Sequence, residues 1–93
     1  MIILEIKQVE DCLDGSVIKE LFLEEKISSA FIQSLGKEGT LQYFPHFAKP
    51  FFKLRIEGKL NLKGIEGNTT LRVRIETPVK QHINLLIELL QRH

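Results

Sequence analysis

The sequence predicts a single α+β domain in which helices pack on one face of an antiparallel β-sheet. Residues 51–63 and 69–76 alternate apolar and polar side chains with the period of a strand. Residues 78–91 instead place apolar side chains at helical spacing. A chain of 93 residues is long enough for one hydrophobic core, so we expect one domain over residues 1–93.

We expect the elements in the order β-α-β-β-β-α, with about four to five strands in the sheet. Residues 2–9 alternate as a first strand would, and residues 40–44 form a short later strand. Helices on one side of an antiparallel sheet bury its apolar face and leave the other face open to solvent.

The segment from residue 17 to residue 35 allows two interpretations. Its apolar positions nearly fit one helix, but the apolar stripe changes face near Leu23, which predicts a break at residues 23–26. Residues 17–23 fit a strand as well as a helix, because periodicity does not distinguish the two in so short a run. The later half is predicted as a helix that ends in a left-handed cap at Gly36.

The longest alternating stretch, residues 51–63, cannot be straight. Thirteen extended residues would span roughly 40 Å, whereas a compact domain of this size is roughly 30 Å across. Gly58 is the place where the strand bends or the chain reverses. A two-residue loop would set Ile56 opposite Lys59, and a three-residue loop requires glycine where Lys59 stands. We therefore slightly favour a single strand bent at Gly58.

The C-terminal helix is predicted to begin at Pro78, with Thr77 as its N-cap. Its apolar stripe includes Leu85, Ile87 and Leu89, which make it broader than the strip that one sheet face normally covers.

Basic side chains dominate the polar side of the alternating strands. Residues 1–38 carry a net charge of −4 and residues 39–76 a net charge of +4. Such a face could neutralise phosphates, although Lys and Arg also protect exposed sheets from aggregation. The isoelectric point of about 7.9 lies below the value of about 9 that is typical of nucleic-acid-binding domains. The candidate residues of this basic face are Lys53, Arg55, Lys59, Lys63, Arg72 and Arg74.

A second candidate surface is the loop at residues 43–52, which holds five of the seven aromatic residues and two prolines. Prolines stiffen a loop, so exposed aromatic side chains there would lose little entropy on binding. The alternative is that these aromatics belong to the core, as they do in many small domains. We expect Phe44, Phe47 and Phe51 to be partly exposed, with His46 beside them.

No motif for catalysis, a cofactor or a metal is present. His46 has no second histidine or cysteine at ligand spacing. The single cysteine, Cys12, excludes an intrachain disulfide and suggests a reducing, cytoplasmic compartment. No apolar run approaches the roughly 18 residues of a membrane span, so we expect no membrane contact.

Three functions follow as hypotheses. The leading one is a non-catalytic binding or adaptor domain that contacts a protein partner, or a second copy of itself, through the basic face and the aromatic loop. The alternative is nucleic-acid binding through the same basic face. A third is a small-ligand-binding protein or enzyme with a pocket near His46.

Overall fold

The computed structural model describes residues 1–93 and contains a six-stranded antiparallel sheet with two α-helices. The α+β class is therefore confirmed. The strand count is six instead of four to five, and the order is β-β-α-β-β-β-β-α. The elements are β1 (Ile3–Asp11), β2 (Val17–Leu23), α1 (Ser29–Ser34), a 3₁₀ helix (Leu35–Lys37), β3 (Thr40–Phe44), β4 (Phe51–Ile56), β5 (Leu60–Ile65), β6 (Thr70–Ile75) and α2 (Val79–Gln91).

The strands lie side by side in the order β1-β2-β6-β5-β4-β3, and every neighbouring pair is antiparallel. Strands β3 to β6 follow one another as a meander. The N-terminal hairpin of β1 and β2 then joins this meander along its last strand, β6. Strands β1 and β3 are the two edges of the sheet.

The segment Val17–Leu23 is a strand, which explains the count of six. Its alternation buries Leu21 and Leu23 on the helix side, while Ile18 and Phe22 lie on the other side in half-buried positions. Pairing with β6 on one side and β1 on the other satisfies its backbone. The helix begins later, where the Ser28 hydroxyl caps it by accepting a hydrogen bond from the Phe31 N–H at 3.1 Å.

Gly58 reverses the chain, so the preference for a bent strand was wrong. Ile56 pairs with Leu60, and the Lys59 N–H donates to the Ile56 carbonyl at 3.0 Å. Gly58 has φ +72° at the third position of this turn, where a type II turn requires a positive φ. The glycine is thus needed one residue earlier than the expected three-residue loop would place it. Lys59 consequently lies in the turn and not on the sheet face.

The core lies between the sheet and the two helices. Phe31, Ile32 and Leu35 pack from the first helical segment, and Leu86, Leu89 and Leu90 pack from α2. The strands contribute Leu21, Leu23, Phe52, Leu54, Leu60, Leu62, Leu71, Val73 and Ile75, and Ile27 completes the cluster.

Two helix-end predictions need correction. Helix α2 starts at Val79, and Pro78 is its N-cap residue. Gly36 lies inside the 3₁₀ helix and does not adopt a positive φ, because the chain tightens its turn there without a left-handed cap.

Candidate functional site: the open face of the sheet

Strand register brings basic residues from three strands into one row across the open face. Lys53 on β4 lies opposite Lys63 on β5, and Lys63 lies opposite Arg72 on β6. Arg72 in turn lies opposite Glu20 on β2. Neighbouring strands are about 4.8 Å apart, so these side chains stand close together. Three cations therefore follow one another before the first carboxylate of the row.

A second row runs parallel to the first, two residues away along each strand. Arg55 on β4 lies opposite Asn61 on β5, and Asn61 lies opposite Arg74 on β6. Thr40 on the edge strand β3 continues this row beside Arg55. Here a neutral amide separates the two guanidinium groups.

Each arginine of the face contacts a carboxylate of the same chain. Arg55 lies 3.1 Å from Glu57, Arg72 lies 3.6 Å from Glu20, and Arg74 lies 2.7 Å from Asp14. These pairs are substantially exposed and add little to stability, but they reduce the positive charge that the face presents. Lys53 and Lys63, in contrast, make no ion pair within 4.0 Å.

Asp14 is held in place from two sides at the end of the β1–β2 hairpin. The Ser16 hydroxyl donates to it at 2.6 Å and the Ser16 N–H at 3.0 Å, while Arg74 approaches its other oxygen. The Ser16 hydrogen bonds, with a smaller contribution from Arg74, lower the pKa of Asp14 from 3.8 to about 2. The carboxylate is therefore ionised at any physiological pH and ties Arg74 to the hairpin.

A groove of about 490 Å³ lies along the two rows. All five basic side chains of the face line it, together with neutral polar groups from Thr40, Gln42 and Asn61. Every charged side chain that lines the groove is therefore a cationic hydrogen-bond donor. This composition suits an anionic ligand that also accepts hydrogen bonds from amide and hydroxyl groups.

An aromatic cluster borders the groove where β3 and β4 meet. Phe44 lies opposite Phe51 with ring centroids 4.7 Å apart, and Phe47 lies 5.6 Å from the first ring and 5.3 Å from the second. The side chain of Phe47 is 56 % exposed and that of Phe44 36 %. His46 is exposed in the same loop. These three phenylalanines, Phe44, Phe47 and Phe51, are called the aromatic cluster below.

The other two aromatics of this region point to the helix side. Phe52 is fully buried in the core. The Tyr43 hydroxyl donates to the Glu66 carboxylate and accepts from the Ser29 hydroxyl, and the Glu66 carboxylate raises the pKa of Tyr43. The loop therefore divides its aromatics between the core and the open face.

Of the sequence-predicted basic residues, the structure brings together Lys53, Arg55, Lys63, Arg72 and Arg74, and it leaves Lys59 in the β4–β5 turn. Sequence reasoning missed the acidic members of the face, Glu20 and Asp14. The alternation of Ile18, Glu20 and Phe22 on β2 was the available signal, but it carries that meaning only if residues 17–23 form a strand.

The chain contains no group of three or more His, Cys, Asp or Glu side chains that could hold a metal ion. Neither helix has the length and apolar character needed to cross a bilayer. Fold and site together define a small α+β domain with an open, basic sheet face bordered by aromatic side chains. No protein-family model matches the chain, and no match is found among characterised proteins or solved structures.

Proposed function

We propose that this domain is a non-catalytic binding module that recognises an acidic segment of a protein partner on its open sheet face. The observation that carries the proposal is the juxtaposition of Lys53 and Lys63, which lie directly opposite each other without a carboxylate within ion-pair distance. Like charges in this relation destabilise a sheet by roughly 0.2–1 kcal/mol. An acidic group bound between the two ammonium groups would attract both of them and offset their mutual repulsion.

The aromatic cluster supports a peptide ligand with apolar side chains next to its acids. Phe47 and Phe44 present exposed ring surface beside the row of Lys53, Lys63 and Arg72, called the lysine row below. Two prolines, Pro45 and Pro50, flank this part of the loop and limit its conformational freedom. Aromatic side chains that are already ordered supply contact area at small entropic cost.

Nucleic acid is the second candidate, favoured by the exposed ring of Phe47, on which a base could stack. The three arginine–carboxylate pairs weigh against it, because each carboxylate would lie near the phosphates of a bound strand. A protein segment can place its few acidic residues at the lysine row and avoid these carboxylates.

A pocket at His46 is not developed further. None of the three cavities in the structure is lined by this residue. The cytoplasm remains our proposed compartment, on the basis of the single cysteine.

The test is binding to defined probes, measured by fluorescence anisotropy at low salt. One probe is a set of acidic peptides with and without aromatic residues, and the other is single-stranded oligonucleotides. We expect the aromatic acidic peptides to bind, and the double substitution Lys53→Glu/Lys63→Glu to abolish binding. Lys26→Glu/Lys59→Glu is the matched control, because it also reverses two lysine charges but places them in the β2–α1 loop and the β4–β5 turn.

Two results would contradict the proposal. Binding of oligonucleotides but not peptides, with an affinity that falls steeply as salt rises, would favour the second candidate. Equal loss of peptide binding in the Lys26→Glu/Lys59→Glu control would mean that overall charge, and not the sheet face, is recognised.

A further inference from the structure

Strand β1 is an unusual edge for a sheet of this size. It is the longest strand, nine residues, and it lies outermost. Large apolar side chains stand exposed along it and just before it: Ile2 (56 %), Leu4 (65 %), Ile6 (38 %) and Val9 (46 %). Edge strands are normally short, because their unpaired backbone groups template association with another strand. The opposite edge, β3, is only five residues long.

Irregular pairing limits which part of β1 can accept another strand. Its register with β2 shifts between Ile3 and Glu5 and again between Gln8 and Glu10. Such bulges kink the strand and interrupt its pairing. The regular segment is therefore Glu5 to Gln8, and a second strand would align on these residues.

We propose that β1 pairs with β1 of a second copy, antiparallel and centred on Ile6, to form a symmetric dimer. This register sets Glu5 of each copy opposite Lys7 of the other and Ile6 opposite Ile6. The dimer thus contains two complementary charge pairs around one apolar contact. The proposal concerns the β1 edge, which does not line the basic groove, and does not rest on the proposed function.

The side-chain directions agree with this register. Glu5 and Lys7 pair with Phe22 and Glu20 on β2 and therefore share the open face, and the Lys7 ammonium lies 5.4 Å from the Phe22 ring centroid. Ile6 pairs with the buried Leu21 and so lies on the helix side. Residues directly opposite in an antiparallel pair share one face, which lets Glu5 meet Lys7 across the axis.

Other symmetric registers of the regular segment are less favourable. An axis through Glu5 places two glutamates opposite each other, and an axis through Lys7 places two lysines opposite each other. An axis through Gln8 sets Lys7 opposite the apolar Val9. Like charges directly opposite are destabilising, so the charge pattern of β1 selects Ile6 as the centre.

The helix side of the edge offers additional apolar surface. A cavity of about 590 Å³ lies between the start of the chain and α2, and six of its eight lining residues are hydrophobic. Ile87 of α2 lines it together with Leu4 and Ile6. Of the residues that broaden the α2 stripe, Ile87 therefore lines this groove, whereas Leu89 lies in the core and Leu85 packs against the core. A second β1 strand would cover this groove at the dimer axis.

The test is the molar mass of the full chain by light scattering and sedimentation over a wide range of concentration. We expect twice the 10.7 kDa of one chain. Glu5→Lys alone and Lys7→Glu alone each place like charges at both symmetric positions and should raise the dimer dissociation constant at least roughly tenfold. The double substitution Glu5→Lys/Lys7→Glu restores opposite charges and should restore the dimer.

Ile6→Asp provides a second disruption that does not depend on the charge pairs, and Lys26→Glu in the β2–α1 loop is the control. Thermal unfolding establishes that each variant is folded. A wild-type chain that stays monomeric at all concentrations would overturn the proposal. So would a dimer that survives both Ile6→Asp and the single charge reversals. Because Ile6 lies on the helix side, Ile6→Asp leaves peptide binding at the open face unchanged, so the two proposals fail separately.

Discussion

Replacing Lys63 by glutamine should stabilise the free protein, because it removes the central charge of the lysine row. Lys63 faces Lys53 on one side and Arg72 on the other. Two unit charges about 6 Å apart in water repel by about 0.7 kcal/mol. The Glu20 carboxylate, 3.6 Å from Arg72, offsets part of the second repulsion. The expected gain for Lys63→Gln is therefore about 1 kcal/mol at low salt, falling to about half of that near 0.1 M salt.

Urea denaturation at low and high salt measures this gain. We expect the midpoint of Lys63→Gln to rise by about 0.5–1 M at low salt, from a slope of about 1–2 kcal/mol per M. Lys59→Gln, in the turn, should shift the midpoint by much less. A loss of stability, or a gain that salt does not reduce, would refute the electrostatic reasoning. The same Lys63→Gln variant should bind an acidic peptide more weakly, so stability and binding should change in opposite directions.

Two further predictions concern the core and the hairpin end. At Gly64 an added Cβ would lie 2.8 Å from Leu71 Cδ2, so Gly64→Ala should lower the free energy of unfolding by about 1–3 kcal/mol and the Tm by about 4–8 °C for each kcal/mol. The control is Gly36→Ala, where the added Cβ would lie an ordinary 3.7 Å from its nearest neighbour, Leu41 Cδ2, and should not destabilise the protein. An equal loss of stability in the two variants would contradict the packing argument. The pKa of Asp14, lowered from 3.8 to about 2, means that its stabilising contribution is complete above pH 4 and is lost as the pH falls through 2. The difference in urea midpoint between the wild type and Asp14→Asn should accordingly shrink over that pH range, and a difference independent of pH would argue against an ionised Asp14.

The alternation of residues 51–63 and 69–76 was sufficient to assign the side chains of β4, β5 and β6 to the two sheet faces, with the exception of Lys59. Residues 17–23 were not assignable in this way. Lys19 lies on the helix side of β2, and its ammonium donates to the side-chain carbonyl of Gln8 on β1 at 3.0 Å. A polar residue on the otherwise apolar side, in a run of seven, removes the contrast that distinguishes a strand from a helix. Pairing with β6, distant in sequence, determines the strand.

The same long-range pairing explains the limits of site prediction. The basic members of the face follow from local alternation on β4, β5 and β6. Glu20 and Asp14 join the face only when β2 docks on β6. The turn at Gly58 was not predicted, because glycine was expected at the last position of a three-residue loop. In the structure Gly58 takes the third position of a four-residue turn.

The attachment of β2 to β6 also orders the events of folding during synthesis. Val17 pairs with Ile75, and Phe22 with Thr70, so the first hairpin is made about fifty residues before its neighbour in the sheet. At the 5–20 residues per second of translation, this delay is roughly 3–10 s. The meander of β3 to β6 is formed from neighbouring hairpins and needs no such wait. The N-terminal hairpin therefore has both of its edges unpaired until β6 has been made and completes the sheet.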